Sequence, residues 1–170
     1  MAKALAHRGP DGQKHWINDE GNIGFAHRRL SIIDLSAAAA QPMHYLNRYT
    51  IVYNGEIYNY IEIKEELRKH GYSFSTQSDT EVILAAYDYW KSECVQQFDG
   101  MFAFAIWDEK KKKLFAARDR FGEKPFYYYE ENGHLVFASE MKALWAIGIE
   151  KKTDPKMLLN YITLGQVQNV

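Results

Sequence analysis

Along this chain the hydrophobic pattern changes from strand-like to helical at one polar stretch. Tyr49–Tyr53 is β-branched and aromatic, the composition of a strand. Asn54-Gly55-Glu56-Ile57-Tyr58-Asn59 then reads as a turn, and helical spacing runs from Tyr60 to about His70, stopped by Gly71. Asn59 stands where an N-cap is expected, with Glu62 in the capping-box position. Ser78-Asp79-Thr80-Glu81 predicts a second capping box, opening a helix over Val82–Trp90 with Val82, Ala85, Ala86 and Tyr89 on one face. A short helix is expected around Ser92–Phe98, with Val95 and Phe98 inward. Met101–Trp107 is apolar without alternation, so it predicts a strand covered on both faces.

The remaining elements follow from turn chemistry. Asp108–Lys113 is a charged turn, and Leu114–Ala117 returns as the hairpin partner. Pro125–Tyr129 and His134–Ala138 predict a second hairpin around Asn132-Gly133. Ser139 is expected to cap a helix reaching Ala146, and Asp154-Pro155 to open a last helix ending near Gly165. Upstream, Met1–Ala6 is helix-forming and runs into the loop His7–Gly12, while Ile23–His27 and Leu30–Asp34 look like strand pieces. Ser36–Ala40 is a small-residue loop, and its alanine run at Ala37–Ala40 carries no chemistry. Six to eight strands, hairpin-linked and mixed with four or five helices, predict an α+β layered fold.

Composition narrows the class. A chain of 170 residues, 46% hydrophobic and 25% charged, fits one soluble globular domain. Aromatic content of 15%, with 12 Tyr, favours a sheet-rich interior. A net charge of −1 gives no electrostatic case for nucleic acid or for an anionic membrane. One cysteine, Cys94, allows no internal disulfide and suits a reducing, cytoplasmic compartment. No apolar run approaches a membrane span and no signal peptide is evident. The six histidines are scattered, so no metal site is expected.

Three charged residues could carry chemistry. The Arg29 guanidinium can grip a carboxylate in a fork or form a surface ion pair. Glu56 could receive an ammonium or help the turn, and Asp79 stands in a helix's first turn, where an acid is favoured in any case. The Asn54-Gly55 turn can present backbone N–H groups and an amide to an oxyanion, or simply do turn chemistry. Cys94 has no neighbouring histidine and reads as a buried structural thiol.

Seven blocks together resemble the class II glutamine amidotransferase domain of glutamine-hydrolysing asparagine synthetases. They are HRGPDG from His7, HRRLSIID from His27, NGEIYN from Asn54, SDTE from Ser78, DGMFAFAIWD from Asp99, RDRFGEKPFYY from Arg118 and FASEMKAL from Phe137. The resemblance implies an N-terminal-nucleophile (Ntn) hydrolase-like four-layer αββα sandwich of two antiparallel sheets, α+β in class. It implies hydrolysis of glutamine to glutamate and ammonia, with Asn54 and Gly55 forming the oxyanion hole. Arg29 would hold the α-carboxylate, Leu30, Ser31, Ile32 and Ile33 would line the site, and Glu56 and Asp79 would face the α-amino group.

The family's thiol sits on the first residue of the mature chain, whereas this sequence starts Met1-Ala2-Lys3, already inside the helix that leads to HRGPDG. The first strand and the start of the first helix, roughly 20 residues by ordinary element lengths, are therefore expected to lie upstream, with the nucleophilic cysteine. The 170 residues as written are expected to be inactive by the family mechanism, and truncation is the expected reason. Residues 1–150 are expected to form the amidotransferase domain and 151–170 a linker and first helix of a synthetase domain. That domain would carry ATP and Mg and amidate aspartate; no cofactor is expected in this one, and a homodimer is possible. The alternatives are a non-catalytic glutamine-binding or assembly module, and an amidotransferase domain of a related enzyme with another acceptor.

Overall fold

The computed structural model describes residues 1–30 and 39–165. Its central layer is a four-stranded antiparallel sheet in the order β3 (Met43–Tyr45), β4 (Tyr49–Ile57), β5 (Gly100–Asp108), β6 (Lys113–Arg118). Both faces of β4 and β5 are covered, as the apolar run of β5 requires: seven consecutive residues from Phe102 to Asp108 are buried. On one face Ile51, Tyr53, Ile57, Phe102, Phe104 and Ile106 pack against helices α1 (Tyr60–Lys69) and α2 (Asp79–Trp90). On the other face Val52, Ala105 and Trp107 meet Phe25, Trp16 and Phe137, which come from two hairpins. These are β1 (Gly12–Ile17) with β2 (Gly24–Arg29), and β7 (Tyr127–Glu131) with β8 (His134–Ala138). An outer layer follows, where Met1 and, from an N-terminal 3₁₀ helix (Ala2–Arg8), Ala4 and Leu5 cluster with Ala143 and Leu144 of α3 (Met141–Trp145). Helix, sheet, sheet, helix is thus the layer order, the second sheet layer being made of two separate hairpins.

Several local expectations need correction. The first segment is a 3₁₀ helix, not an α-helix, and ends at Arg8. Strands β1 and β3 were not legible; β1 is mostly exposed and lacks an apolar alternation, and β3 is only three residues long. Asn59 occupies the N-cap of α1 without capping it; its amide donates to the Gln97 carbonyl at 2.9 Å and its oxygen accepts from the Asp99 N–H at 3.0 Å. Ser78 caps α2 through the Thr80 N–H at 3.1 Å. Glu81 does not complete the box, because its carboxylate accepts from the backbone and hydroxyls of Ser75 and Thr76. Helix α2 is buried from Asp79 through Tyr87, whereas Tyr89, expected on the inner face, is 40% exposed. Helix α3 starts after Glu140, not Ser139.

The Asn132-Gly133 hairpin stands as read, both residues in the left-handed region at φ 50° and 75°. Helix α4 (Pro155–Leu164) begins with Asp154 capping Lys156 at 2.8 Å and stops at Gly165. None of its residues is buried. Among the described residues no helix is long and apolar enough to cross a membrane. No group of His, Cys, Asp and Glu among them is placed to hold a metal ion.

Candidate active site

The stretch expected to be a turn is the end of a strand. β4 runs through Asn54, Gly55 and Glu56 to Ile57, with Asn54 opposite Ala103 and Gly55 opposite Phe102 on β5. This fixes where the Gly55 backbone points. Phe102 donates its N–H to Asp119 Oδ2 at 3.3 Å and accepts from the Asp119 N–H at 2.8 Å, so both its backbone groups face β6. Gly55 and Phe102 are therefore a non-hydrogen-bonded pair, and the Gly55 N–H points to the other edge of β4. The neighbours on that edge are engaged: Tyr53 N–H donates to Gln41 Oε1 at 2.6 Å, and Ile57 N–H to Asp79 Oδ2 at 3.1 Å. β3 pairs only as far as Ile51, so it ends before Gly55.

Strand periodicity supplies the rest. Val52, Asn54 and Glu56 share the β4 face that meets the hairpin layer, and Phe25, His27 and Arg29 share one face of β2. Phe25 and Val52 close one end in a common apolar cluster. Beyond them a cavity of about 720 Å³ opens, lined by His27, Arg29, Asn54, Gly55, Glu56 and Asp79. Its volume lies in the range of small-molecule sites. Leu30, 55% exposed, also lines it. Ser31, Ile32 and Ile33, expected in the same site, lie outside the described residues.

The polar groups of the cavity are unequal. Asn54 Nδ2 is buried and meets no hydrogen-bond acceptor among the described residues, a costly condition for a donor unless something else bonds it. Asp79, 4% exposed, is already engaged: Oδ2 accepts from the Tyr53 hydroxyl at 2.8 Å and from Ile57 N–H. Burial pushes its carboxyl up, against the opposing pull of the Tyr53, Ile57 and Thr80 bonds, and the Glu56 charge adds to the rise. His27 was not singled out from sequence, although its two-residue spacing from Arg29 places both on one face. Burial lowers its pKa to about 4, opposed by its bond to the Tyr53 backbone and reinforced by the Arg29 charge.

That shift has a testable sign. The folded ring stays neutral where the unfolded one, titrating at about 6.5, takes a proton. Between those values the unfolded chain binds more protons, so this group's contribution to stability is lost as pH falls from about 6.5 to about 4. Urea unfolding of the wild type and His27→Gln across that window should show the wild type losing stability relative to the variant. Parallel curves would remove the assignment of a buried neutral ring.

Cys94 is elsewhere. It is fully buried in the helix-side core, and burial pushes its thiol up to about 12. It is an inert packing residue, as its sequence context indicated. A further organiser invisible in sequence is Asp119, 7% exposed, which accepts from the N–H groups of Phe121, Glu123 and Lys124 at 3.1, 2.8 and 2.9 Å. It shapes the loop that lays Lys124, Pro125 and Phe126 along the cavity.

A family model described as a glutamine amidotransferase domain matches residues 1–170. The chain is 46% identical over 164 residues to asparagine synthetase [glutamine-hydrolyzing] 1 of Bacillus subtilis, covering 96% of this chain and 26% of that protein. It is 46% identical to asparagine synthetase [glutamine-hydrolyzing] 3 of the same organism, over 86% of this chain and 24% of that protein. It is also 40% identical to amidase chry2 of Gibberella zeae, over 86% of this chain and 22% of that protein. The chain thus spans about a quarter of the length of the relatives it matches. Among solved structures, glutamine phosphoribosylpyrophosphate amidotransferase from B. subtilis superposes with a TM-score of 0.72 at 22% identity, over 86% of this chain and 39% of that one. That likeness concerns the fold, two layers of antiparallel sheet between helical layers.

Proposed function

Because the chain belongs to the glutamine amidotransferase domain family, we propose that its cavity binds glutamine and that the domain hydrolyses it to glutamate and ammonia for an asparagine synthetase. The observation that carries the reading is the edge of β4. There the Gly55 N–H faces away from its own sheet partner, and the buried Asn54 amide lacks an acceptor among the described residues, on the strand that lines the cavity. Two fixed donors at one edge suit a carbonyl oxygen that becomes an oxyanion.

The chemistry assigned to this site is acyl transfer. A thiol passes its proton to an amine base and its sulfur attacks the side-chain amide carbon of glutamine. Negative charge collects on oxygen, against Asn54 and Gly55. The C–N bond breaks as the base returns the proton to the departing ammonia. Water then cleaves the thioester, releasing glutamate and restoring the thiol. Cys94, fully buried in the other core, is not that thiol. The reading places it on the first residue of the mature protein. Arg29 binds the α-carboxylate. Glu56 and Asp79 face the α-ammonium, Asp79 also holding Tyr53 and Ile57 in register.

Residues 151–170 belong in this proposal to the following synthetase domain, where ATP and Mg would act. The exposure of Leu158, Leu159, Tyr161 and Ile162 on α4, at 47–70%, supports a boundary near residue 150. The 40% identity to an amidase favours, as a second reading, a related amidotransferase with another acceptor, which these residues do not specify.

The direct test is glutamate release by the protein expressed from its full reading frame, with the 170-residue chain as the blank. Release by the long form alone is expected, and silence from a folded long form would overturn the glutaminase assignment. For the pocket itself, calorimetric titration with glutamine is expected to lose detectable binding in Arg29→Ala and keep it in Lys112→Ala, whose side chain pairs with Glu20 and Glu109. Equal behaviour of the two variants would remove the carboxylate-anchor role.

A further inference from the structure

The N-terminal 3₁₀ helix forms one wall of the cavity, through Met1, Ala2, Leu5 and Arg8. Little holds it by itself. It has no buried residue and no side-chain cap, and short 3₁₀ segments have poor hydrogen-bond geometry. Several ties among the described residues fasten it. Met1, Ala4 and Leu5 lean on Ala143 and Leu144. Arg28 donates to the Ala6 carbonyl at 3.3 Å. A further tie is Glu140, whose Oε1 lies 2.8 Å from His7 Nε2 and 3.2 Å from Arg8 Nη1, with Lys142 Nζ also 3.2 Å from His7 Nε2.

Glu140 breaks a local rule to make this tie. It is the N-cap of α3, a position where a side chain normally bonds its own helix, yet it makes no such bond. Its carboxylate reaches instead across more than a hundred residues of sequence to the cavity wall, while its other oxygen takes Lys142 at 2.9 Å. Lys142, then His7 and Arg8, hold its carboxyl down to about 2, so it stays ionised at any working pH. Ser139, the residue before it, lines the same cavity. A local preference forgone without local gain marks a position serving something beyond its own element.

We propose that Glu140 is a positioning residue for the glutaminase reaction, acting through His7 and Arg8 to fix the N-terminal wall of the cavity against the Asn54–Gly55 edge. The inference rests on the glutaminase reading. It assigns Glu140 no contact with substrate. It predicts which kinetic constant moves, because Arg29, Glu56 and Asp79, assigned to hold glutamine, are on other elements, whereas the wall sets the approach of the attacking group. A displacement of about 1 Å at that point costs up to about 100-fold in rate.

The experiment compares Glu140→Ala, Glu140→Gln and Lys152→Ala in the protein from the full reading frame. Glu140→Ala is expected to lower kcat for glutamine at least about tenfold with KM within about twofold of the wild type. Glu140→Gln keeps an oxygen acceptor for Arg8 and should recover a large part of that loss. Lys152→Ala, which removes only an exposed ion pair with Glu150, should behave as the wild type. Hydrogen exchange on the 170-residue chain supplies a second reading: Glu140→Ala should speed exchange at Ala4–Arg8 and leave β4 and β5 protected. Unchanged kcat in Glu140→Ala beside an active wild type would overturn the proposal, and so would loss of protection throughout the sheet, which marks a general structural role. A silent wild type would instead sink the glutaminase reading, and the proposal with it.

Discussion

Asn54→Ala is expected to lower kcat for glutamine hydrolysis by about 10²–10³-fold, the usual cost of removing one oxyanion donor, while KM and the unfolding midpoint stay near wild-type values. The separation of effects follows from what the side chain does in the fold. Its Nδ2 bonds nothing among the described residues, so truncation leaves no partner stranded. Its backbone stays paired with Ala103, and the neighbouring face is held by Val52 in the apolar cluster. A donor without an acceptor among the described residues, and engaged when charge appears on oxygen, contributes to the transition state and not to ground-state binding. Asn54→Asp should be at least as damaging, since a carboxylate beside a forming oxyanion repels it. Steady-state kinetics and urea unfolding on the same variants check both statements. A rise in KM at constant kcat would make Asn54 a simple binding residue and dismantle the oxyanion-hole assignment.

Much of the fold is legible in the sequence, and the reasons for the rest are physical. The doubly covered strand at 101–107, the Asn132-Gly133 hairpin, the Asp154 cap and the buried Cys94 all depend on short-range rules: apolar continuity, turn chemistry, capping, absence of a nearby base. Those rules were sufficient because each concerns a few adjacent residues. Asn54-Gly55 failed as a turn because a polar, glycine-containing stretch also suits a strand edge when β5 lies close alongside and only glycine fits. Glu81 satisfied the capping-box pattern by spacing, yet Ser75 and Thr76 offered its carboxylate four donors and took it from the helix end. Convergence was the other thing spacing could not supply. Arg29, Glu56 and Asp79 stand tens of residues apart, and only the stacking of β2 over β4, with Tyr53 carrying Asp79, brings them to one cavity. His27 carries no sequence signal for a related reason, since a single histidine beside two arginines has no pattern until the strand assigns it a face.

Gly55→Ala should destabilise the 170-residue chain by at least about 3 kcal/mol, at the upper end for overpacking. With a denaturant slope of about 2 kcal/mol per molar urea, that is a fall in midpoint of about 1.5 M. An added Cβ would overlap the Met101 carbonyl oxygen and come within 2.7 Å of both Phe102 Cα and the Tyr53 ring. Two of these neighbours are backbone atoms of the central strand pair, so no side-chain rotation relieves the clash. Relief requires β4 and β5 to separate where their register holds the whole sheet. It also requires Tyr53 to move, and with it the hydroxyl that bonds Asp79 at 2.8 Å. Against a typical domain stability of about 5–15 kcal/mol, the loss is a large fraction of the total. The glycine therefore serves the site twice. Its missing side chain allows the close approach to Met101 and Phe102, and the register of the pair sends its N–H to the edge beside Asn54. A near-wild-type midpoint for Gly55→Ala would mean that β4 and β5 can part there at little cost. The close-approach role given to Gly55 would then have to be abandoned, whereas its N–H direction, set by the register with Phe102, would stand.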